Sequence, residues 1–191
     1  CELDFQEFLN KSYKRWDRWK KRYLIQREKD NNPIQWYEEP GLQAGAFSTF
    51  LGLILSDIDN IEIKKWKASA IGDTCLFQIH RNELITRFPL EESSEFSNHP
   101  MLLSSNPTKN SNICVKVYEG ECWVDDTFFL MTDALACWFL QEYENGNKPW
   151  YALRDLKHNQ KNDFEELIAE LRDNKLMRND DVTLIRIEIF K

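Results

Sequence analysis

The apolar segments of this chain come in short runs joined by turns, and that restricts it to antiparallel sheets. Residues 75–80 (CLFQIH) and 83–88 (ELITRF) flank Arg81-Asn82, the spacing of a two-residue β-hairpin. Trp66, Ala68 and Ala70 alternate with Lys67, Ser69 and Ile71, which predicts a strand over 66–71 that Gly72-Asp73 breaks. The uninterrupted run GAFSTFLGLIL over 45–55 predicts a buried strand, followed by a turn over Asp57–Asn60. Further strands are predicted over 113–118, 121–131 and 182–190, the last with Ile185, Ile187 and Ile189 on one face and Arg186 and Glu188 on the other. The predicted helices are grouped between these runs and do not alternate with single strands. The expected class is therefore α+β with antiparallel sheets, not a chain of βαβ units.

Phe5, Phe8, Leu9, Trp16, Trp19 and Tyr23 recur at helical spacing, so residues 1–28 predict one amphipathic helix, stopped by Asp30-Asn31-Asn32-Pro33. A second helix opens at Asp133, carries Leu135, Trp138, Phe139 and Tyr143 on one face, and ends at the Asn145-Gly146 cap. A third runs from Asp163, with Glu166 in capping-box position, over 163–173. The Ser-, Asn- and Pro-rich stretch 91–112 reads as a long surface loop holding a short helix. Neither a linker nor a repeat interrupts the chain, which predicts a single domain over 1–191.

Charge and cysteine usage narrow the partners. The formal net charge of −7 opposes nucleic acid, whose phosphates are bound by basic surfaces. The charge is uneven, since nine Lys or Arg and two acids lie between Lys11 and Lys29, a local +7 that leaves −14 elsewhere. The basic-aromatic stretch YKRWDRWKKRY reads first as a solvated helix face with Trp16, Trp19 and Tyr23 turned to the core, and second as a docking surface for an acidic or phosphorylated partner. The longest apolar run, Phe47 to Leu55, is too short to span a bilayer, so no membrane partner is expected. Cys1-Glu2-Leu3-Asp4 is acidic where a signal peptide is basic, and five unpaired-looking cysteines suit a reducing cytoplasm. Helical periodicity begins at residue 1 without a cap, which predicts a segment upstream of Cys1.

Three aspartates share one context. Asp73 follows the strand ending Ala-Ile-Gly, Asp133 stands between a strand and a helix, and Asp180, beside Asp181, precedes the last strand. Carboxylates at strand ends can converge on one edge of a sheet, and hard cations such as Mg²⁺ or Mn²⁺ take oxygen ligands of this kind. Turns and helix starts also favour aspartate for their own reasons, and spacing alone favours that plainer role.

The segments GAFSTFLGLIL, WKASAIGDTCLFQI, FFLMTDALACWFL and RNDDVTLIRI resemble, in order, four blocks of the metal-dependent serine/threonine protein phosphatases of type 2C. Trp36-Tyr37-Glu38-Glu39 and the stretch from Phe88-Pro89-Leu90 through Phe96, Pro100 and Leu102 resemble a bacterial branch of that family. The resemblance implies two stacked antiparallel β-sheets flanked by helices. It implies two Mn²⁺ or Mg²⁺ ions and a third, looser one, with a bridging hydroxide that attacks phosphorus. Asp133 and Asp180 then match the ligands of one catalytic metal, and Asp73 with Asp133 the ligands of the third. Phosphorylated proteins are the implied substrates and a cognate kinase the implied antagonist. Thr74, Cys75, Ala134 and Asp181 depart from the family blocks without removing a matched ligand. The family's first metal motif and its phosphate-gripping arginine have no counterpart, which predicts the C-terminal two-thirds of the domain. It also keeps open a catalytically inactive module that binds a phosphoprotein or kinase without turnover.

Other constellations carry less. Cys75 and Arg81 have the C-x5-R spacing of cysteine-dependent phosphatases, but the residues between them contain no glycine and read as strand. His80, His99 and His158 lack ligand spacing, and Glu38-Glu39 reads as loop acids before Pro40.

Overall fold

A computed structural model describes residues 5–56, 63–156 and 161–190. Helices α1 (Phe5–Lys29) and α2 (Glu39–Ala44) precede strands β1 (Phe47–Ser48), β2 (Phe50–Ser56), β3 (Ile63–Ile71), β4 (Cys75–His80) and β5 (Glu83–Phe88). Strands β6 (Leu103–Ser104), β7 (Lys116–Trp123) and β8 (Thr127–Met131) follow, then α3 (Asp133–Glu144), α4 (Trp150–Asp155), α5 (Lys161–Asp173) and β9 (Leu184–Glu188). Every strand pairing among the described residues is antiparallel, and the class is α+β. The chain forms two compact units, Cys1–Thr49 with Leu102–Val115 and Phe50–Met101 with Lys116–Lys191, a finer division than the single domain expected.

The second unit holds two sheets, of order β2-β3-β7 and β5-β4-β8-β9. They stack through Trp66, Ala68 and Ala70 of β3 and Cys122 of β7, which pack with Leu76, Phe88 and Phe128 of the other sheet. The Trp66 ring meets Phe128 edge-on at 5.5 Å between centroids. On the opposite face of the four-stranded sheet, Phe77, Ile79, Phe129 and Met131 pack with Leu135 and Phe139 of α3, Trp150 and Leu153 of α4, and Ile168 and Leu171 of α5. Strands β4 and β8 are thus buried on both faces, which is why their sequences are largely apolar, with Gln78, His80 and Thr127 as the polar exceptions.

The hairpin of β4 and β5 turns where the sequence predicts, with Arg81 and Asn82 both at positive φ (45° and 67°), as a type I′ turn requires. Elsewhere tertiary packing moves the boundaries. The run 45–55 is two strands that break at Thr49 and join different sheets. The predicted turn over 57–60 lies outside the described residues. Gly120 lies inside β7 and does not separate two strands, because a Cβ there would stand 2.7 Å from the Trp66 ring. The turn falls instead at 124–126, with Asp125 at φ 70°, and carries the chain from one sheet to the other. Helix α4 was not predicted, since six residues show no periodicity to read. Ile187 of β9 and Ile189 just beyond it join the core between the sheets, while Ile185 near the strand's start is exposed. Arg186, on the face opposite Ile187 as predicted, donates Nη1 to the Leu153, Arg154 and Leu156 carbonyls at 3.0, 2.7 and 3.1 Å, closing the C-terminus of α4.

In the first unit, α1 buries only Leu9 of its apolar residues. Trp19 is 51% exposed, which corrects the expectation that it faces a core. Trp16, Trp19 and Tyr23 stack along the helix at 4.9 and 5.3 Å. Glu38 pairs with Arg27 at 3.0 Å and accepts from the Gln35 amide at 2.9 Å, so it anchors the turn after α1. Asn110 ties its loop to the helix by donating to the Tyr13 hydroxyl at 2.7 Å.

One buried carboxylate joins the two sheets. Asp126, with no exposed surface, accepts from Gln78 Nε2 at 2.8 Å and from the Trp123 amide at 3.0 Å, and it meets His80 Nδ1 at 2.6 Å. Gln78 also donates to the Glu121 carbonyl of β7 at 2.8 Å and accepts from Thr86 of β5 at 3.2 Å. A buried charge that loses its partners, or partners that lose their charge, costs about 3–5 kcal/mol. Asp126→Ala is therefore expected to lower unfolding free energy by about 3 kcal/mol in urea titration. A loss within about 0.5 kcal/mol, typical of an inert surface site, would count against this role.

Candidate metal centre

The register of the four-stranded sheet sets which side chains can meet. Cys75 of β4 lies opposite Met131 of β8, and Met131 lies opposite Leu184 of β9. Asp73 precedes the first of these residues, Asp133 follows the second, and Asp180 precedes the third. All three aspartates therefore stand at one end of this sheet, and Asp126 with His80 stands at the other.

Each is placed by its own local structure. Gly72, at φ 91°, turns the chain from β3 into β4 and leaves Asp73 buried, with 7% of its surface exposed. Asp133 opens α3, where a negative charge opposes the positive end of the helix dipole. Asp180 sits on the exposed segment before β9, which Arg172 of α5 fastens by donating to the Asp180 carbonyl. Its Oδ1 accepts from the Asp181 amide at 2.8 Å. Thr132 knits the segments together: its amide donates to the Thr183 carbonyl at 3.2 Å, and its hydroxyl accepts from the Thr183 amide at 3.0 Å.

The electrostatics are those of a crowded anionic site. Burial pushes the Asp73 carboxyl above its ordinary value of 3.8, the Asp133 carboxylate pushes it further, and Asp180 adds to this. Arg178 opposes the shift and forms an ion pair with Asp133. As the side chains lie, no three His, Cys, Asp or Glu residues among those described stand close enough together to hold a metal ion. The donor chemistry fits a hard divalent cation, because the groups are carboxylates and their mutual repulsion is relieved by positive charge. Asp133 is already engaged by Arg178, and among the described residues no further His, Cys, Asp or Glu completes a group of three.

The rival nucleophile is absent here. The Cys75 thiol is buried, its pKa is pushed far up by burial, and its Sγ lies 3.3 Å from the Asp73 carbonyl. Arg81 stands at the far end of β4, too distant to share a phosphate. His99 is exposed in its loop, and His158 lies outside the described residues.

Arg178, Thr132 and Arg172 were missed from the sequence. Thr132 carried a signal, as a cap-type residue before a helix-start acid. Arg178 carried none, since nothing in its spacing marks it as the partner of a residue 45 positions away.

No family model matches the chain, and no curated protein matches it. Solved structures similar to it include the phosphatase domain of the cell fate determinant SpoIIE from Bacillus subtilis, in a manganese-presoaked form. That match has 17% identity and a TM-score of 0.41, and covers 82% of this chain and 61% of the other. The photosystem II phosphatase PBCP is similar at 15% identity and a TM-score of 0.38, over 80% of this chain and 55% of the other. The chain thus spans less than two-thirds of the length of these structures.

A raised carboxyl pKa fixes a sign. Asp73 is easier to protonate in the folded chain, so its folding penalty is absent below the unfolded value of 3.8 and grows as pH rises through the raised folded value. Asp73→Asn is therefore expected to raise Tm in EDTA at pH 7 relative to wild type. The gain should vanish near pH 3, and a loss of Tm at pH 7 would contradict the crowding.

Proposed function

We propose that this chain carries the cation-binding end of a metal-dependent phosphatase that hydrolyses phosphoserine and phosphothreonine in proteins. One observation carries the reading: the β4-β8-β9 register gathers Asp73, Asp133 and Asp180 at one sheet end, where their charges crowd one another. Asp133 and Asp180 would hold a Mn²⁺ or Mg²⁺ ion, with Asp73 beside them. When bound, the ion supplies an activated water and neutralises phosphoryl oxygens. The chain's own part is positioning. Thr132 fixes the strand-to-helix junction that aims Asp133, and Arg172 fixes the loop that presents Asp180. The partners are a phosphorylated protein and an opposing kinase, and the setting is the cytoplasm. No helix among the described residues is long and apolar enough to cross a membrane.

A second reading, a phosphatase-like module that binds a phosphoprotein without turnover, is favoured by the lack of a three-ligand cluster among the described residues. Activity separates the two. The purified 191-residue chain is expected to bind Mn²⁺ weakly and to show negligible turnover of p-nitrophenyl phosphate or a phosphothreonine peptide. The longest reading frame that contains it should turn both over with Mn²⁺, and Asp133→Asn there should remove the activity. A longer form that binds the phosphopeptide without hydrolysing it would establish the second reading.

A further inference from the structure

Helix α1 has two unlike faces. The inner face is fastened to its own unit. Leu9 is buried, Tyr13 accepts from Asn110, Lys20 donates to the Leu42 carbonyl at 3.3 Å, and Arg27 pairs with Glu38. On the outer face Arg18 has a cation at each of its helical neighbours, Lys14, Arg15, Lys21 and Arg22. All five are exposed, and none forms an ion pair with a described residue. Like charges at this spacing repel, so the arc weakens the helix that carries it. Trp19 adjoins Arg15 and Arg22 at helical spacing and stands at the edge of the arc. It is 51% exposed, yet its ring is held by stacking on Trp16 and Tyr23 at 4.9 and 5.3 Å. A large ring fixed in water loses little further freedom when a partner covers it.

We propose that the outer face of α1 docks an acidic segment of a partner protein, whose carboxylates meet the five cations while an apolar side chain covers Trp19. Charge selects the occupant. Residues 11–29 carry +7 and the remainder −14, so an extended polyanion, whether nucleic acid or anionic lipid surface, meets repulsion beyond the helix. A short acidic segment meets only the arc. A helix bound to lipid also inserts its apolar face, and that face of α1 is turned to its own unit. The inference stands apart from the proposed chemistry, because α1 and the three aspartates belong to different units.

The test is fluorescence anisotropy of a labelled peptide of repeated Glu-Glu-Leu titrated with the 191-residue chain, at low salt and with rising NaCl. Wild type should bind, and should lose affinity as salt shortens the reach of exposed charges. The triple variant Arg15→Glu, Arg18→Glu, Arg22→Glu should bind about tenfold more weakly, the factor for three exposed ion pairs. Trp19→Ala leaves the charge unchanged, so it separates docking from the bare attraction of opposite charges, and it should weaken binding about fivefold. No saturable binding by folded wild type, or unchanged affinity in either folded variant, would overturn the proposal. Tighter binding to vesicles of phosphatidylcholine and phosphatidylserine than to the peptide would overturn it in favour of a lipid surface. Salt-sensitive self-association in sedimentation velocity, lost in the triple variant, would overturn it in favour of a second copy of the chain. If the triple variant does not fold, Arg22→Gln carries the test. It should weaken binding about twofold, and unchanged affinity would overturn the proposal.

Discussion

The stacking of the two sheets depends on the buried carboxylate of Asp126. It sits where the chain leaves β7 for β8, and it is satisfied from both sides by the Trp123 amide, Gln78 and His80. Gln78 spans the gap to the Glu121 carbonyl, so strands of different sheets share one polar network. Trp66 reinforces it from the apolar side, filling the space that Gly120 leaves and donating its indole N–H to the same carbonyl at 3.0 Å. A charge this deeply buried is tolerated only when its hydrogen bonds are complete, and those of Asp126 tie it to both crossing strands.

The opposite end of the sandwich has the same topology and the reverse chemistry. Asp73 also occupies a crossover between the sheets, from β3 to β4, and is also buried, yet its carboxyl is crowded by Asp133 and Asp180. One end of the structure satisfies its buried aspartate and the other strains it. That contrast is one of electrostatics, because a protein gains nothing in stability from gathering like charges. Arg178 pairs with Asp133 at that end.

Much of this was legible in the sequence where local rules act alone. Arg81-Asn82 between two apolar runs marked a hairpin, and the Asn145-Gly146 pair marked the end of α3. The strand-end context of the three aspartates was legible too, and strand register sets them at one end of the sheet. What escaped was decided by contacts distant in sequence. Gly120 falls between two predicted strands until Trp66 is beside it, and nothing in the sequence shows that Arg186 meets the end of α4. Trp19 follows a helical period that suggests burial, but it stacks on its helix neighbours and stays exposed. Arg178 is a charged loop residue with no periodicity, and its role appears only when the turn after α5 brings it to Asp133.

The central claim is that the sheet end bearing Asp73, Asp133 and Asp180 is a divalent-cation site. Crystals of the chain soaked in MnCl₂ and measured at the manganese absorption edge test it most directly. The account predicts an anomalous peak within coordinating distance of the Asp133 and Asp180 carboxylates. Well-ordered crystals with no peak at that end would contradict it.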